Sequence, residues 1–373
     1  MKTAQVKVMF VLPSFAGGGA ERVALTLLRH LDRGHFEPSL VVLDGNGPLE
    51  NLVPEDTPLS VLHKPRLRAA LPALISTIRL QQPDVVFSTL GYVNLALLAV
   101  RTLLPRHTGI VVREANMPSL SLPATAHSLL HRLAYRLMYR RADAVICTSE
   151  QMQAELRQDF RVPSSRLFLM SNPVDEERIR QAAVPVVRFG GDGLRLVAAG
   201  RLTYQKGFDR LIDIMVHVDP RAHLTILGDG PDRKTLEAQA LSLGLSDRVL
   251  FTGFCDNPWP YYAGADGVVM SSRWEGLPNV VLEALSCGAP VIATPESGGV
   301  ADIAAAAQSG SVMMASIGPA FVEAIKKLIP QCETAVSLRP SLLPGFYRAG
   351  ATVEVFQKIV STSVRSSVGR NNI

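Results

Sequence analysis

The sequence has few cysteines, and their spacing argues against a disulfide framework and against a structural zinc site. Its four cysteines, Cys147, Cys255, Cys287 and Cys332, form no CxxC pair and no metal-ligand pattern. A disulfide framework and a structural zinc site both need such groupings. The cysteines therefore favour a reducing, cytoplasmic compartment.

The sequence also lacks an apolar run long enough to span a bilayer. Its longest apolar stretch, Val85 to Val100, contains Ser88, Thr89 and Asn94 and ends before a charged residue. A membrane-spanning helix needs about 20 apolar residues. The apolar run near the N-terminus is only as long as a strand, so no transmembrane segment and no signal peptide are expected.

Two nucleotide-binding fingerprints are missing. No GxGxxG followed by an acidic residue about 20 positions later occurs in either half, and no GxxxxGK[ST] occurs at all. The missing GxGxxG pattern disfavours an NAD-dependent oxidoreductase.

Short apolar runs that alternate with helical patterns fill the chain. A chain of 373 residues that is 47% apolar exceeds one ordinary core, so two α/β domains are expected. We predict domains at residues 1–180 and 194–373 with a Gly-rich linker at 181–193. The strand predictions are Lys7–Leu12, Ser39–Leu43, Val85–Ser88, Ile110–Arg113 and Ala144–Thr148, then Leu194–Ala199, His223–Leu227, Val249–Phe251, Gly267–Met270 and Ala289–Thr294.

The positive charge is unevenly placed. Residues 1–180 hold 21 Lys and Arg against 16 Asp and Glu, whereas the rest of the chain is balanced. The first half should therefore meet an anionic partner or surface.

The stretch RWEGLPNVVLEALSCGAPVIAT holds two carboxylates, Glu275 and Glu283, in apolar surroundings. Pro278 predicts a helix start, and Gly288 predicts a left-handed cap after Ser286. Two acids about 10 Å apart, with free helix amides between them, suit the hydroxyl groups and the diphosphate of a nucleotide sugar. A solvated surface helix is the alternative.

Glycines and cations follow the predicted strands. Gly17, Gly18 and Gly19 follow the first strand and precede a helix, which suits a phosphate cradle, although a structural turn has the same pattern. Arg201 and Lys206 follow the first strand of the second domain, where they could neutralise a diphosphate.

Two further turns could contact a nucleotide. Gly228, in LGDGP, permits close approach of a flat group, and Phe254, in FTGF, could lie beside a base. Ordinary core and turn positions are an equally good interpretation of these residues.

The motifs GGGAER, GRLTYQKGFDRLI, LGDGP, FTGF and EGLPNVVLEALSCGAPVIAT, in this order, resemble retaining glycosyltransferase family 4 of bacterial surface-polysaccharide type. The resemblance covers nearly the whole chain and is most specific in the second half. It implies the GT-B fold, in which two Rossmann-like, doubly wound domains face a cleft, with a last helix that can pack back on the first domain.

The same resemblance implies residue roles. Glu283 would hold the donor ribose, and Arg201 with Lys206 would hold the diphosphate. Glu275, Gly276 and Leu277 would hold the donor sugar. Gly18 and Gly19 would approach the diphosphate from the first domain, and Glu275, Arg201 and Lys206 are the residues assigned to catalysis.

The sequence departs from the family in one loop. Members often carry a histidine after the fourth strand of the first domain, whereas this chain reads VVREANMPS, with Arg113, Glu114 and Asn116. Glu114 is a candidate acceptor contact, and no catalytic role is assigned to it or to Arg113. His127 and His131 are interpreted as ordinary helix positions. No metal-binding DxD occurs, so neither a metal nor another cofactor is expected.

Two basic, partly apolar stretches lie in the first half. HKPRLRAALPALISTIRL carries Lys64, Arg66 and Arg68, and HSLLHRLAYRLMYRRAD carries Arg136 and Arg140. Such stretches bind an anionic membrane surface or a phosphate-bearing lipid, but they are also compatible with core helices that have a solvated basic face.

The main hypothesis is transfer of a hexose or N-acetylhexosamine, with retention, from a nucleotide sugar to a lipid-linked or polysaccharide acceptor. The expected nucleotide is UDP. The enzyme would be peripheral on the inner membrane face, with no nucleic-acid partner. A nucleotide-sugar epimerase and a non-catalytic nucleotide-binding protein are the alternatives.

Overall fold

The computed structural model describes residues 5–121, 128–187, 189, 193–330 and 338–369. Two compact units share the chain. The first contains the residues up to Pro173 and those from Ala349 onward, and the second runs from Val174 to Arg348.

The first unit is built on a parallel sheet of seven strands in the order β3-β2-β1-β4-β5-β6-β7. Its strands are β1 (Val6–Ser14), β2 (Phe36–Asp44), β3 (Leu59–Val61), β4 (Val85–Ser88), β5 (Gly109–Arg113), β6 (Ala144–Cys147) and β7 (Leu167–Leu169). Its helices are α1 (Gly19–His30), α2 (Leu67–Gln81), α3 (Gly91–Ala99), α4 (Pro118–Ser121), α5 (Ser128–Met138), α6 (Glu150–Gln158) and α14 (Ala349–Gly369).

The second unit has a parallel sheet of six strands in the order β10-β9-β8-β11-β12-β13. The strands are β8 (Arg195–Ala199), β9 (His223–Leu227), β10 (Val249–Gly253), β11 (Gly267–Met270), β12 (Val291–Ala293) and β13 (Val312–Met314). The helices are α7 (Glu176–Ala182), α8 (Phe208–Met215), α9 (Arg233–Ser242), α10 (Trp259–Gly264), α11 (Asn279–Ser286), α12 (Val300–Ala306) and α13 (Pro319–Lys326).

Central strands of both sheets are buried on both faces, which explains their continuous apolar sequences. All residues of β4, β5 and β11 are buried. The strand predictions at Val85–Ser88, His223–Leu227 and Gly267–Met270 are confirmed at the same bounds. The other seven predicted strands are present with bounds that differ by one to three residues at an end.

The domain boundary differs from the predicted one. The second unit begins at Val174, before the predicted linker at 181–193, because α7 packs against α10 and α11. The last helix, α14, belongs to the first unit. Phe356 of α14 packs 4.9 Å from Phe87 of β4, between ring centroids, in the core of the first unit.

No helix in the described parts of the chain is long and apolar enough to cross a membrane. Cys147, Cys255 and Cys287 are free thiols, and Cys332 lies outside the described residues.

Candidate functional site

The second unit places two loops side by side at the point where the strand order of its sheet reverses. β8 and β11 are neighbours in the sheet although two strands separate them in sequence. Ligands of doubly wound sheets bind beside the carboxyl ends of the strands at such a point. The loop after β8 carries Arg201 and Lys206, and the loop after β11 carries Glu275.

Lys206 and Glu275 form an ion pair at this position. The Lys206 Nζ donates to Glu275 Oε1 at 2.6 Å, and the Ser272 hydroxyl donates to the same oxygen at 2.7 Å. Glu275 is 5% exposed. Among the described residues, Oε2 of Glu275 has no hydrogen-bond partner and Nζ of Lys206 has only this one. The pair therefore keeps an acceptor oxygen and two N–H donors for a ligand.

Buried hydroxyl groups support the loop after β11. The Thr294 hydroxyl donates to the Ser272 carbonyl at 2.8 Å and lies 2.9 Å from the Ser297 hydroxyl. All three side chains are buried. A Cβ at Gly299 would lie 2.6 Å from the Gly276 carbonyl oxygen, so the chain after β12 packs directly on this loop. These contacts limit the freedom of the glutamate that the loop presents.

Glu283 lies on α11, in the second turn from the helix start. The helix begins at Asn279 after Pro278, and Gly288 has φ 75°, so the predicted start and cap are both confirmed. Glu283 is partly exposed, whereas Gly276 and Leu277, which precede the helix, are buried. The two acids of the motif therefore sit in different surroundings.

Arg201 differs from Lys206 in being exposed. Its guanidinium makes no hydrogen bond or ion pair with any described residue. The preceding Gly200 has φ 152°, and Gly228 after β9 has φ 141°. A Cβ at Gly228 would lie 2.0 Å from the Gly200 carbonyl oxygen, so the close approach of the two loops requires a glycine at position 228. This close approach brings Gly228 next to the loop that carries the two predicted cations.

Phe254 follows β10, the strand at the end of the sheet, and is 55% exposed. The Gly228 N–H donates to the Gly253 carbonyl at 2.8 Å, which places the residue before Phe254 beside the glycine turn after β9. An exposed aromatic ring beside an open backbone can stack on a planar base.

The glycine turn of the first unit contains a carboxylate that sequence reasoning overlooked. Gly17 has φ 101°, and Gly18 is the N-cap of α1. A Cβ at Gly18 would lie 2.1 Å from Oε2 of Glu21, which is 9% exposed. A diphosphate that approached Gly18 and Gly19 would therefore meet this negative charge as well as the amides at the helix start.

A buried polar network lies at the carboxyl ends of β4 and β5. Glu114 is 3% exposed and accepts from Asn94 Nδ2 at 2.9 Å and from the Tyr139 hydroxyl. Burial raises the pKa of Glu114 to about 8, against hydrogen bonding from Asn94 and the charge of Arg113. Tyr135 takes part in the same network. Glu114 thus ties β5 to α3 and α5, and its Oε1 already accepts two hydrogen bonds.

Arg113 is 1% exposed and belongs to the same buried region. Its Nη1 donates to the Thr89 hydroxyl at 2.7 Å, and its Nη2 donates to Asn172. Burial lowers the pKa of Arg113 to about 10. The sequence showed these residue types after a strand but gave no signal that both were buried.

The basic residues predicted to meet a membrane or an acceptor lie in two separate places. Lys64, Arg66 and Arg68 are exposed around the N-terminus of α2, whose first turn has no acidic residue. Arg136 lies on α5, and Arg140 lies on the turn that leads into β6. α2 and α5 follow different strands, β3 and β5. The two stretches thus belong to separate elements.

α5 carries exposed leucines as well as cations. Leu129, Leu130, Leu133 and Leu137 are between 50% and 77% exposed. The interpretation of this stretch as a core helix with a solvated basic face is therefore wrong in one respect, because these four leucines are not in the core. His131 is exposed on the same helix, and His127 lies outside the described residues.

Within the described residues, no group of three or more His, Cys, Asp or Glu side chains is arranged to hold a metal ion.

Two family sequence models match the chain. The model described as "Glycosyltransferase Family 4" matches residues 17–178, and the model described as "Glycosyl transferases group 1" matches residues 180–340. Together they cover most of both units.

Two curated relatives illustrate matches over most of both chains. An N-acetylgalactosamine-N,N'-diacetylbacillosaminyl-diphospho-undecaprenol 4-alpha-N-acetylgalactosaminyltransferase of Campylobacter jejuni is 26% identical over 309 residues, which are 80% of this chain and 83% of the relative. The lipopolysaccharide core biosynthesis glycosyltransferase LpsE of Rhizobium meliloti is 28% identical over 287 residues, 75% of this chain and 77% of the relative.

Solved structures share the fold. Anabaena HepE, in complex with UDP and glucose, aligns with a TM-score of 0.70 and 19% identity over 99% of this chain and all of that one. This likeness shows that the two parallel-sheet units are those of the GT-B fold.

Proposed function

Since the chain belongs to the family 4 glycosyltransferases, with a group 1 domain as its second unit, we propose that it moves a hexose or N-acetylhexosamine, with retention, from a nucleotide-diphosphate sugar to a lipid-linked or polysaccharide acceptor. The pathway would be synthesis of a cell-surface glycan.

The observation that carries this proposal is the Lys206–Glu275 pair beside the switch point of the second sheet. The pair presents two N–H donors of Lys206 and one carboxylate oxygen of Glu275, and the two side chains are joined by a hydrogen bond of 2.6 Å. A diphosphate sugar needs this combination, because its phosphate oxygens accept hydrogen bonds while its sugar hydroxyls donate them. A site for either group alone would not require both.

Lys206 and Arg201 act on the diphosphate. Negative charge on the leaving diphosphate grows as the bond to the sugar breaks, so cations there stabilise the transition state more than the bound donor. Lys206 is fixed by its ion pair, and the exposed Arg201 is free to follow the leaving group.

Glu275 acts on the donor sugar and does not serve as a nucleophile. Its Oε1 is engaged by Lys206 and Ser272, and only Oε2 remains for a sugar hydroxyl. The amides of Gly276 and Leu277 contribute to the same subsite, and Glu283 takes the ribose hydroxyls one helical turn further on.

Gly228 and Phe254 line the base, since Phe254 is exposed and the backbone of the residue before it is hydrogen-bonded to Gly228. Gly18 and Gly19 of the first unit offer backbone amides at the start of α1 to a phosphate group.

The names of the relatives and of the solved structure support a choice of donor base and acceptor. HepE was solved with UDP and glucose, which supports UDP as the nucleotide. The Campylobacter relative is named for a diphospho-undecaprenol acceptor, and LpsE is named for lipopolysaccharide core synthesis. An acceptor linked to a lipid through a diphosphate would also suit the exposed Lys64, Arg66 and Arg68.

The enzyme works on the cytoplasmic face of the membrane as a peripheral protein. Exposed leucines and nearby arginines on α5 suit insertion into the interface of an anionic leaflet. No metal or other cofactor takes part, because Arg201 and Lys206 supply the positive charge that a metal would otherwise bring to the diphosphate.

A donor-hydrolysis screen tests the proposal. The full chain is incubated with UDP-, GDP- and ADP-linked hexoses and N-acetylhexosamines, and release of nucleoside diphosphate is followed beside Glu275→Gln. We expect slow hydrolysis of UDP-linked donors that the variant loses. If the protein converts a donor to its epimer without releasing nucleotide, it is an epimerase and not a transferase. If it binds donors but turns none of them over, it is a non-catalytic nucleotide-binding protein.

A further inference from the structure

The loops after β8 and β11 are joined by more than the Lys206–Glu275 pair. The backbone N–H of Arg273 donates to the Gln205 carbonyl at 2.7 Å, and the Gln205 amide donates to the Trp274 carbonyl at 3.0 Å. The Ser271 hydroxyl also donates to the Gly207 carbonyl at 2.8 Å. The residues on both sides of Lys206 are therefore bound to the residues just before Glu275.

Arg273 makes the largest number of these contacts. Its Nη1 donates to Asp209 Oδ1 at 2.8 Å and to the Tyr204 carbonyl at 2.7 Å, and its Nη2 donates to Asp209 Oδ2 at 2.5 Å. The guanidinium carbon also lies 3.9 Å from the centroid of the Tyr204 ring. Both terminal nitrogens and one face of the guanidinium are thus engaged by the loop after β8 and the start of α8.

This arrangement distinguishes Arg273 from the other cations of the site. Arg201 is exposed and has no partner among the described residues, whereas the side chain of Arg273 is 17% exposed and bidentate to Asp209. A bidentate Arg–carboxylate pair fixes direction as well as distance. Hydrogen bonding from Arg273 also lowers the pKa of Asp209, which favours the charged carboxylate of the pair.

We propose that Arg273, held by Asp209, is a positioning residue that fixes the Lys206 ammonium on the Glu275 carboxylate. The proposal rests on the function proposed above, because Lys206 and Glu275 act on the donor there. Arg273 itself touches neither the diphosphate nor the sugar. It acts by joining the two loops, so that donor and acceptor groups of the pair are in place before the substrate arrives.

The effect on turnover should be larger than the effect on donor affinity. Misplacing a catalytic group by about 1 Å can cost on the order of 100-fold in rate. Arg201, Glu283 and the amides of α11 still bind the nucleotide sugar when Arg273 is absent. We therefore expect Arg273→Ala to lower kcat on the order of 10- to 100-fold with a change in donor KM below about threefold. Arg273→Lys keeps the positive charge but cannot make the bidentate hydrogen bonds, so its kcat should lie between those of the wild type and Arg273→Ala.

A matched control lies in the same unit. Arg221 is bidentate to Asp219, with distances of 3.2 Å and 2.9 Å, but this pair is exposed and two residues apart in sequence. Arg221→Ala removes the same kind of ion pair away from the site. It should leave kcat and donor KM unchanged.

Combination with Lys206→Ala shows whether Arg273 acts through Lys206. If it does, Arg273→Ala has little further effect on kcat once Lys206 is absent, because there is nothing left to position. A general loss of folding would instead multiply the two losses. Multiplicative losses, or a donor KM that rises as much as kcat falls, would contradict the positioning role.

A second measurement is independent of activity. Both tryptophans of the chain, Trp259 and Trp274, lie in the second unit, so their fluorescence reports its unfolding in urea. The stability coupling between Lys206 and Glu275 is measured from Lys206→Ala, Glu275→Ala and the double variant. The same cycle is then repeated with Arg273→Ala.

We expect the coupling to fall at least severalfold when Arg273 is absent and to stay unchanged with Arg221→Ala. Unchanged coupling in both backgrounds would overturn the inference. Because this cycle needs no substrate, it decides the role of Arg273 even if the donor-hydrolysis screen refutes glycosyl transfer.

Discussion

The acids of the E-x7-E motif differ in how deeply the protein buries them. Glu275 is buried and shares one oxygen with Lys206 and Ser272, whereas Glu283 is partly exposed on α11. A carboxylate with one committed oxygen is rigid and can orient a sugar. The partly exposed acid is better suited to binding than to orientation, so the two should respond differently to removal.

Glu283→Ala should weaken donor binding with little change in turnover. A charged hydrogen bond left unmade costs about 1.5 to 3 kcal/mol, which corresponds to a rise in donor KM on the order of tenfold or more. Steady-state kinetics with the best donor of the screen measure it. An unchanged donor KM at normal kcat would show that Glu283 does not contact the nucleotide.

Lys206→Ala and Arg201→Ala should each lower kcat more than donor affinity, because both cations act on charge that develops as the diphosphate leaves. The loss should be greater for Lys206, on the order of 100-fold, since its removal also leaves buried Glu275 without its counter-ion.

Lys326→Ala is the control for these two variants. Lys326 pairs with Glu323 at 2.7 Å on the surface of α13, outside the site. The Lys326→Ala variant should keep the kcat and the donor KM of the wild type. Variants of Arg201 and Lys206 that raise only donor KM would refute the leaving-group role.

Sequence reasoning could name the chemistry of single residues but not their pairing. Arg201, Lys206 and Glu275 follow strands in sequence, which predicts their place at one edge of a sheet. The ion pair between Lys206 and Glu275 spans 69 positions and depends on which strands are neighbours. The burial of Arg113 and Glu114 depends likewise on α3 and α5, which no local pattern reveals.

At the scale of elements, the strands that sequence reasoning missed are β3, β7 and β13. Each has three residues and lies at the end of a sheet. Their side chains are mostly partly exposed, so they lack the continuous apolar run that marks a central strand. The central strands were predictable because burial on both faces demands such a run.

The Glu114 network joins β5 to α3 and α5 and should make the first unit sensitive to pH. Its folded-state pKa of about 8 lies above the ordinary value of 4.5 because of burial. Between these two values the folded chain binds more protons than the unfolded chain, so the stabilising contribution is present at low pH and is lost as the pH rises toward 8.

Glu114→Gln should reduce this pH dependence. The amide does not ionise, so the free energy of unfolding should fall less between pH 5 and pH 8.5 than in the wild type, by on the order of a few kcal/mol. Urea unfolding followed by circular dichroism at both pH values measures it. Glu155, whose pKa is also raised by burial, remains in both proteins, so an equal pH dependence in the two would assign the effect elsewhere.

At the scale of the whole molecule, the charge excess and the exposed leucines belong to the same unit. The excess positive charge lies in residues 1–180, and four exposed leucines lie on α5 beside Arg136. Exposed apolar groups alone would favour any bilayer, whereas exposed cations alone would favour any polyanion. Their combination favours an anionic membrane surface, which a lipid-linked acceptor would also require.

Variants separate the two contributions to membrane binding. Leu133→Ser with Leu137→Ser removes apolar area from α5, and Lys64→Ala with Arg66→Ala and Arg68→Ala removes charge from the start of α2. Leu250→Ser is the control, because Leu250 is 60% exposed on β10 in the second unit. Both test variants should bind vesicles more weakly than the wild type, and the control should bind as the wild type does.

The full chain should sediment with vesicles that contain anionic lipid, and added salt should release it. Each cation near such a surface contributes about 1 kcal/mol, and this contribution decays within a Debye length of about 10 Å at 0.1 M salt. Binding should therefore fall steeply between 50 mM and 500 mM salt and should be weak on neutral vesicles, where only the leucines of α5 contribute. Equal binding to neutral and anionic vesicles, or binding that salt does not change, would mean that the basic residues of the first unit serve only its solubility.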